Sequence, residues 1–230
     1  MKNAAGALSD VTTGLYIITA TCGIIDAVCF LALGGVFAEM MTGNLLLMSL
    51  SIGTGGALGD TARYLPAMLA FMCGALLGGR LLRGPHKLRE RRIGFAVEGL
   101  VIVAATLVTW RTAPDAVNLA GHIVVVMLAF AMGIQNAMVR SHGVADLATN
   151  VMTVTFTAVI ADSRLAGGDN HNWRRRGLSI ALFCAGAAIG AFLAQFGVVW
   201  PLALTSLLFA VAMIPLTFGR HPTQKAPTAP

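Results

Sequence analysis

Charged side chains are scarce in this chain of 230 residues, of which only 11% are Asp, Glu, Lys or Arg. Ordinary soluble domains contain about 25% of these residues. Hydrophobic residues make up 57% of the sequence, and the mean hydropathy is +0.77. A soluble fold is therefore excluded. The net charge of +6 is better explained by basic loops beside a membrane than by binding to nucleic acid, which we do not expect as a partner.

The sequence also lacks the motifs of common catalytic and metal sites. Its four cysteines lie singly within apolar runs and show no CxxC spacing, which is typical of small apolar core residues. There is no P-loop, HExxH, GxSxG or dinucleotide-binding motif, and no pattern that pairs a nucleophile with a base. We therefore expect no catalytic residue, no metal and no cofactor, and we do not expect an enzyme.

What the sequence does contain is a succession of eight apolar segments, and six of them approach the length of about 20 residues that spans a membrane. The second and sixth are shorter and rich in Thr, Ser, Gly and Asn. We predict an all-α membrane protein, a polytopic helical bundle in which these two segments are broken or re-entrant helices. The segments lie at about 12–36, 40–58, 63–82, 93–110, 117–139, 147–162, 177–197 and 199–218.

Three short motifs occur twice, in the same order, at offsets of 110, 111 and 112 residues. They are 23–27 with 133–137, 41–44 with 152–155, and 71–78 with 183–190. Matches in one order are typical of an internal repeat. We predict a single membrane domain over 1–230, with repeat 1 at about 12–110, repeat 2 at about 117–218, and a disordered Pro-rich tail at 219–230.

The distribution of Lys and Arg favours inverted repeats. If all eight segments crossed the membrane, the sixteen basic residues would divide seven to nine between its two sides. If the two short segments do not cross, thirteen fall on one side and only Arg63 and Arg111 on the other, with Arg140 unassigned. Basic residues are enriched in cytoplasmic loops. The pattern therefore predicts three crossings per repeat in the bacterial inner membrane, with both termini cytoplasmic.

Polar residues inside the apolar runs indicate a candidate site. A carboxylate at the centre of a spanning helix is disfavoured by about 2.5–3.5 kcal/mol on insertion scales, so an acid there is a functional candidate by default. The alternatives are a structural acid and, for the small and hydroxyl residues, helix packing. The candidate residues for binding a solute or ion are Asp26, Thr42, Gly43, Asn44, Gln135, Asn136, Thr153 and Thr155.

Two further acids, Glu39 and Glu98, are candidates for gating or coupling, although Glu39 also suits a position at the membrane interface. Two GxxxG motifs, in segments that match between the repeats, allow the close approach of helices. We expect them to pack the two halves together, with a dimer interface as the alternative. The glycines are Gly74, Gly78, Gly186 and Gly190.

The motifs at 23–27, 41–44 and 133–137, together with Phe37, resemble those of the YoaK family of small bacterial inner-membrane proteins. The resemblance covers about residues 14–218. In that family the second half often carries Thr-Gly-Thr, where this chain has Thr153-Val154-Thr155. The resemblance implies a plasma-membrane protein of about six spans, built around a domain with no assigned chemistry.

From the residues themselves we expect a small secondary transporter or permease for a small polar solute or ion. Asp26 would then bind a coupling proton or cation, and the expected partners are the lipid bilayer, the solute and a second copy in a homodimer. A passive channel, a membrane scaffold and a membrane enzyme are the alternatives. Inverted repeats that each contain one interrupted segment are typical of transporters with a site near the bilayer midplane.

Overall fold

The computed structural model of the chain describes residues 11–116, 118–141, 152–170 and 172–218. The regular elements of this part are helical. They are α1 (Val11–Ala32), α2 (Met41–Gly53), α3 (Leu58–Ala62), α4 (Tyr64–Leu81), α5 (Lys87–Thr112), α6 (Leu119–Ser141), α7 (Met152–Ala161), a 3-10 turn (Arg164–Ala166), α8 (Trp173–Ala194) and α9 (Val199–Phe218). The predicted all-α architecture is confirmed.

Six of these helices are long and apolar enough to cross a membrane: α1, α4, α5, α6, α8 and α9. The second and sixth apolar segments correspond to α2 and α7, which are only 13 and 10 residues long. Six long helices and two short ones agree with the sequence. The predicted tail at 219–230 and the beginning of the sixth segment, before Met152, lie outside the described residues.

The helices do not follow the apolar runs at every boundary. Helix α5 begins at Lys87, six residues before the apolar run, and α8 begins at Trp173, four residues before its run. Helical hydrogen bonding extends into these polar ends because it needs no lipid contact. At the start of α5, the Glu90 carboxylate accepts a hydrogen bond from the backbone N–H of His86 at 3.1 Å, which satisfies a donor at the helix end.

Helix α1 ends at Ala32, earlier than its apolar run, because Gly34 and Gly35 adopt φ values of +104° and +71°. The chain then turns back along α1. The ring of Phe37 stacks on that of Phe30 with their centroids 4.8 Å apart. We call residues 33–40 the return loop, and it carries the chain from the end of α1 back to the start of α2.

Helices α1 and α8 are in backbone contact through glycines. A Cβ atom at Gly23 would collide with the carbonyl oxygen of Phe183, and one at Gly186 with the carbonyl oxygen of Ala20. Small residues at such positions let two membrane helices approach closely. Side chains larger than hydrogen are therefore excluded from this crossing.

The same contacts recur between α4 and α6. A Cβ atom at Gly133 would collide with the carbonyl oxygen of Phe71, and one at Gly74 with the carbonyl oxygen of Phe130. Each of these four residues stands 110 or 112 positions from its counterpart in the α1–α8 contact. Each half of the sequence therefore packs one of its helices against the other half through corresponding residues.

Contacts between helices define their relative directions. Ala20 lies against Gly186 and Ile24 against Gly190, so α1 and α8 run parallel. Helices α4 and α6 are parallel by the corresponding contacts. Helices α5 and α9 are antiparallel, and the short links 82–86, 113–118 and 195–198 join antiparallel neighbours. Helices α1, α5 and α8 thus run one way, and α4, α6 and α9 run the other.

The antiparallel contact of α5 with α9 is polar as well as apolar. Residue numbers increase along α5 and decrease along α9 from one contact to the next. Arg92 donates a hydrogen bond to the Thr217 carbonyl oxygen at 3.0 Å, and Gly99 lies against the Phe209 ring. The hydroxyls of Thr106 and Ser206 are 2.9 Å apart. Outward-facing positions are apolar and well exposed, as in Leu100, which suits contact with lipid.

We predict that Gly74→Ile lowers the midpoint of thermal unfolding in detergent by roughly 5 °C or more. Overpacking costs about 1–3 kcal/mol or more, and 1 kcal/mol corresponds to about 2–4 °C in a chain of this size. Gly79→Ile is the matched control, because a Cβ at Gly79 meets no atom within 4 Å. Equal midpoints for the two variants would contradict the close approach of α4 and α6.

Candidate functional site

A cavity of about 270 Å³ lies where α2 and α7 begin, beside α4 and α8. We call it the α2/α7 cavity. Its lining contains three pairs of residues that correspond between the two halves, each pair identical in type. The lining residues are Glu39, Met40, Met41, Thr42, Phe71, Met152, Thr153 and Phe183. The two halves thus contribute matching walls, and Glu39 supplies a carboxylate.

Three buried acids lie around this cavity. Glu39 is 5% exposed, Asp26 3% and Glu98 0%. The carboxylates of Asp26 and Glu98 both interact electrostatically with that of Glu39. No Lys, Arg or His is found among the described residues that line the cavity. Each of these carboxylates would add negative charge when it is ionised, at a cost in desolvation that grows with burial.

Asp26 holds the return loop in place. Its Oδ1 accepts hydrogen bonds from the backbone N–H groups of Ala38 at 2.9 Å and Glu39 at 2.8 Å. Asp26 lies six residues before the end of α1, so α2 begins about 9 Å back along the helix axis at 1.5 Å per residue. Asp26 does not itself line the cavity. Its position directly behind Glu39 fixes where the Glu39 side chain begins.

Asn136 and Gln135 on α6 reach across to the first half of the chain. Asn136 Nδ2 donates to Glu39 Oε1 at 3.1 Å and to the carbonyl oxygen of Met132 at 2.9 Å. Gln135 Nε2 donates to Cys22 Sγ at 2.8 Å. Neither amide is among the cavity-lining residues. Their contribution is to orient Glu39 and to join α6 to α1.

Asn44 fixes the first turn of α2 against the return loop. Its Oδ1 accepts from the backbone N–H of Phe37 at 2.8 Å, and its Nδ2 donates to the Phe37 carbonyl oxygen at 2.7 Å. Gly43 lies against the Phe37 ring, where a Cβ atom would come within 2.9 Å of a ring carbon. On α7 the corresponding position is Thr155, which is also buried. These three residues flank the cavity rather than line it.

Of the residues predicted to bind the solute, the structure thus brings Thr42 and Thr153 to the cavity, together with Glu39 from the gating candidates. Gly74, Gly78, Gly186 and Gly190 lie at the α4–α6 and α1–α8 contacts. Sequence reasoning missed five lining residues: Met40, Met41, Met152, Phe71 and Phe183. All except Met40 belong to a repeated motif, so the repetition itself was the signal that could have found them.

Six apolar helices of spanning length define a multi-pass helical membrane protein, in which polar groups are buried beside two shorter helices. Within that class, the chain belongs to the family described as protein of unknown function (DUF1275), whose model matches residues 14–214. This confirms the family resemblance seen in the motifs.

The chain is similar to the UPF0700 transmembrane protein YoaK of Bacillus subtilis (strain 168). The two are 27% identical over 191 residues, which cover 78% of this chain and 82% of the relative. No solved structure matches the chain. The family match at 14–214 reaches all six long helices and both short ones, so it concerns the whole bundle and not one motif.

We predict that Asp26→Ala lowers the midpoint of thermal unfolding, whereas Asp26→Asn preserves most of it. Alanine leaves two buried N–H groups without an acceptor, at about 1–3 kcal/mol each, and the amide oxygen of asparagine keeps an acceptor at the same place. The expected loss for Asp26→Ala is roughly 5 °C or more. Differential scanning fluorimetry in detergent measures it, and a wild-type midpoint for Asp26→Ala would show that the loop is held by other contacts.

Proposed function

We propose that the protein is a small secondary transporter that moves a small polar solute or ion across the bacterial inner membrane, coupled to a proton or another cation. The observation that carries the proposal is the α2/α7 cavity, whose walls come in matching pairs from the two halves and include Glu39. Transporters built from repeats bind their substrates at the junction of the repeats, beside interrupted helices. The cavity supports the proposal because matching residues of the two halves line it beside the two short helices.

We further propose that the two halves are inverted repeats. The motifs match α1 with α6 and α4 with α8, and the order of the helices matches α5 with α9. In every one of these pairs the two helices run in opposite directions, as inversion requires. The exchange of contacts supports the same proposal, since α1 packs on α8 as α6 packs on α4.

The short helices are proposed to enter the membrane without crossing it. At 1.5 Å per residue, α2 and α7 are about 20 and 15 Å long, against a hydrocarbon core of about 30 Å. Helix α2 starts beside Asp26, well inside the length of α1. Non-helical backbone at such a depth is tolerated where protein or a water-filled cavity surrounds it. Three crossings per repeat would put both termini on the same side of the membrane, and the basic loops favour the cytoplasmic side.

Coupling is proposed to reside in the acids around Glu39. Ionised carboxylates buried together repel one another, and desolvation adds a further cost. A proton or another cation relieves both effects, so its binding is linked to the charge of the cavity. Asn136 holds Glu39 from the second half of the chain at 3.1 Å, so a movement of one half relative to the other would change the surroundings of this carboxylate.

The transport proposal predicts solute-driven proton movement in proteoliposomes that contain a pH-sensitive dye. Solutes are first selected from a panel of small polar metabolites by their effect on the thermal stability of the purified protein. At least one hit should move protons across the membrane of wild-type vesicles, and Glu39→Gln should abolish the signal.

Glu90→Gln is the matched control for this experiment, because Glu90 lies at the start of α5, away from the cavity, and should leave transport unchanged. A panel that yields neither flux nor stabilisation argues against a transporter. Flux without proton movement that persists in Glu39→Gln would instead indicate a passive channel.

The proposed topology predicts that the α4–α5 link and the segment before α8 lie on the same, cytoplasmic, side. Green fluorescent protein fused after Gly84 or after Gly168 should fluoresce. Alkaline phosphatase fused at either position should be inactive. The physical reason is the concentration of basic residues at 80–92 and 174–176. Opposite results at the two positions would rule out three crossings per repeat.

A further inference from the structure

An open groove of about 700 Å³ lies where the link 82–86 meets the first turns of α5. We call it the basic groove. Its described lining contains two arginines, a histidine and no acid: Pro85, His86, Leu88, Arg89 and Arg92. Guanidinium groups bind phosphate through charge-assisted hydrogen bonds whose geometry matches the fork of the side chain. The groove therefore offers a place for an anionic group of this kind.

Contacts beside the basic groove fix the charges around it. The carboxylate of Glu90 accepts a hydrogen bond from the backbone N–H of His86 at 3.1 Å and lies against Gly84, where a Cβ atom would collide with it. Glu90 therefore faces the link and is not part of the groove lining. Arg92 donates to the carbonyl oxygen of Thr217 at 3.0 Å, which holds its guanidinium group beside the end of α9.

The position of the groove along α5 coincides with the border of the membrane. The part of α5 that is apolar enough to cross a membrane begins at Leu88, and the continuous apolar run begins at Ile93. Arginine side chains at such helix ends extend toward the interface and keep their charge at the level of the lipid headgroups. The phosphates of the surrounding lipids are therefore at the level of Arg89 and Arg92.

An exposed apolar face of α5 continues from the groove along the helix. Arg89, Ile93, Leu100 and Leu107 share this face, because steps of four and seven residues return to nearly the same side of a helix with 3.6 residues per turn. The three apolar side chains are 40%, 70% and 58% exposed, and Leu88 in the groove is 64% exposed. A hydrocarbon chain that starts at the groove can pack along this face.

We infer that the basic groove is a binding site for an anionic phospholipid. The phosphate lies at Arg89 and Arg92, and one acyl chain packs along Ile93, Leu100 and Leu107. The positive lining matches the charge of the headgroup, and the apolar face that continues from it matches the chain, which a soluble phosphate compound lacks. The inference does not rest on the proposed transport, because it concerns a different surface and requires only the membrane.

The test is native mass spectrometry of the purified protein in detergent, which resolves each bound lipid. The first dioleoyl phosphatidylglycerol should bind about 5-fold or more tightly than dioleoyl phosphatidylcholine, which has the same chains and no net charge. Glycerol 3-phosphate, a phosphate without acyl chains, should neither bind at the same concentration nor displace the lipid. Equal binding of the two lipids overturns the inference. Binding of glycerol 3-phosphate as tight as that of phosphatidylglycerol would indicate a soluble ligand and also overturn it.

Variants distinguish a site from diffuse attraction to a basic loop. Arg89→Gln should weaken binding of the first phosphatidylglycerol about 5-fold. Arg83→Gln is the matched control, since it removes the same charge from an exposed position nearby but outside the groove lining, and it should change binding by less than about 2-fold. Unfolding midpoints without lipid establish that both variants are folded. Binding unaltered in Arg89→Gln, or weakened equally in both variants, overturns the inference.

Discussion

The arrangement around the cavity depends on the contact between the Asp26 carboxylate and two backbone N–H groups of the return loop. Within a membrane no water is present to satisfy backbone groups outside a helix, so the protein must supply each partner. One carboxylate oxygen satisfies two of these donors and thereby allows the chain to turn inward after α1. This turn determines where α2 starts, where Glu39 lies and where Met41 and Thr42 form the cavity wall.

A second constraint fixes the walls relative to each other. Backbone contacts at Gly23, Gly74, Gly133 and Gly186 hold each half against the other, with no space for a Cβ atom. Phe71 and Phe183 lie one helical turn or less from two of these crossings, so their rings are placed by the same contacts that hold the bundle together. The cavity therefore lies beside the backbone contacts through which the two halves meet.

Hydropathy sufficed to predict the six long helices and the two short ones, because each spanning segment is a continuous apolar run. The four-residue spacing of Gly74, Gly78, Gly186 and Gly190 also predicted that they lie at helix contacts, but it did not identify Gly23 and Gly133, which face them. The return loop could not be predicted, since its depth depends on hydrogen bonds between residues 12 and 13 positions apart. The positions of Phe71 and Met152 in the cavity wall could not be predicted for another reason. In an apolar run, hydropathy does not distinguish an apolar side chain that faces a cavity from one that faces lipid.

The two halves match in their framework but differ in their polar chemistry. Asp26 corresponds to Asn136, Gly43 to Val154 and Asn44 to Thr155, so the charge and the glycine occur only in the first half. The amide of Asn136 nevertheless acts on the first half, because it donates to the Glu39 carboxylate at 3.1 Å. The first half thus supplies the acid and the second orients it. Two identical halves would place equal charges close together at their junction, where repulsion in a medium of low dielectric constant is strongest. The amide at Asn136 avoids a further carboxylate beside Glu39 and provides a hydrogen bond in its place.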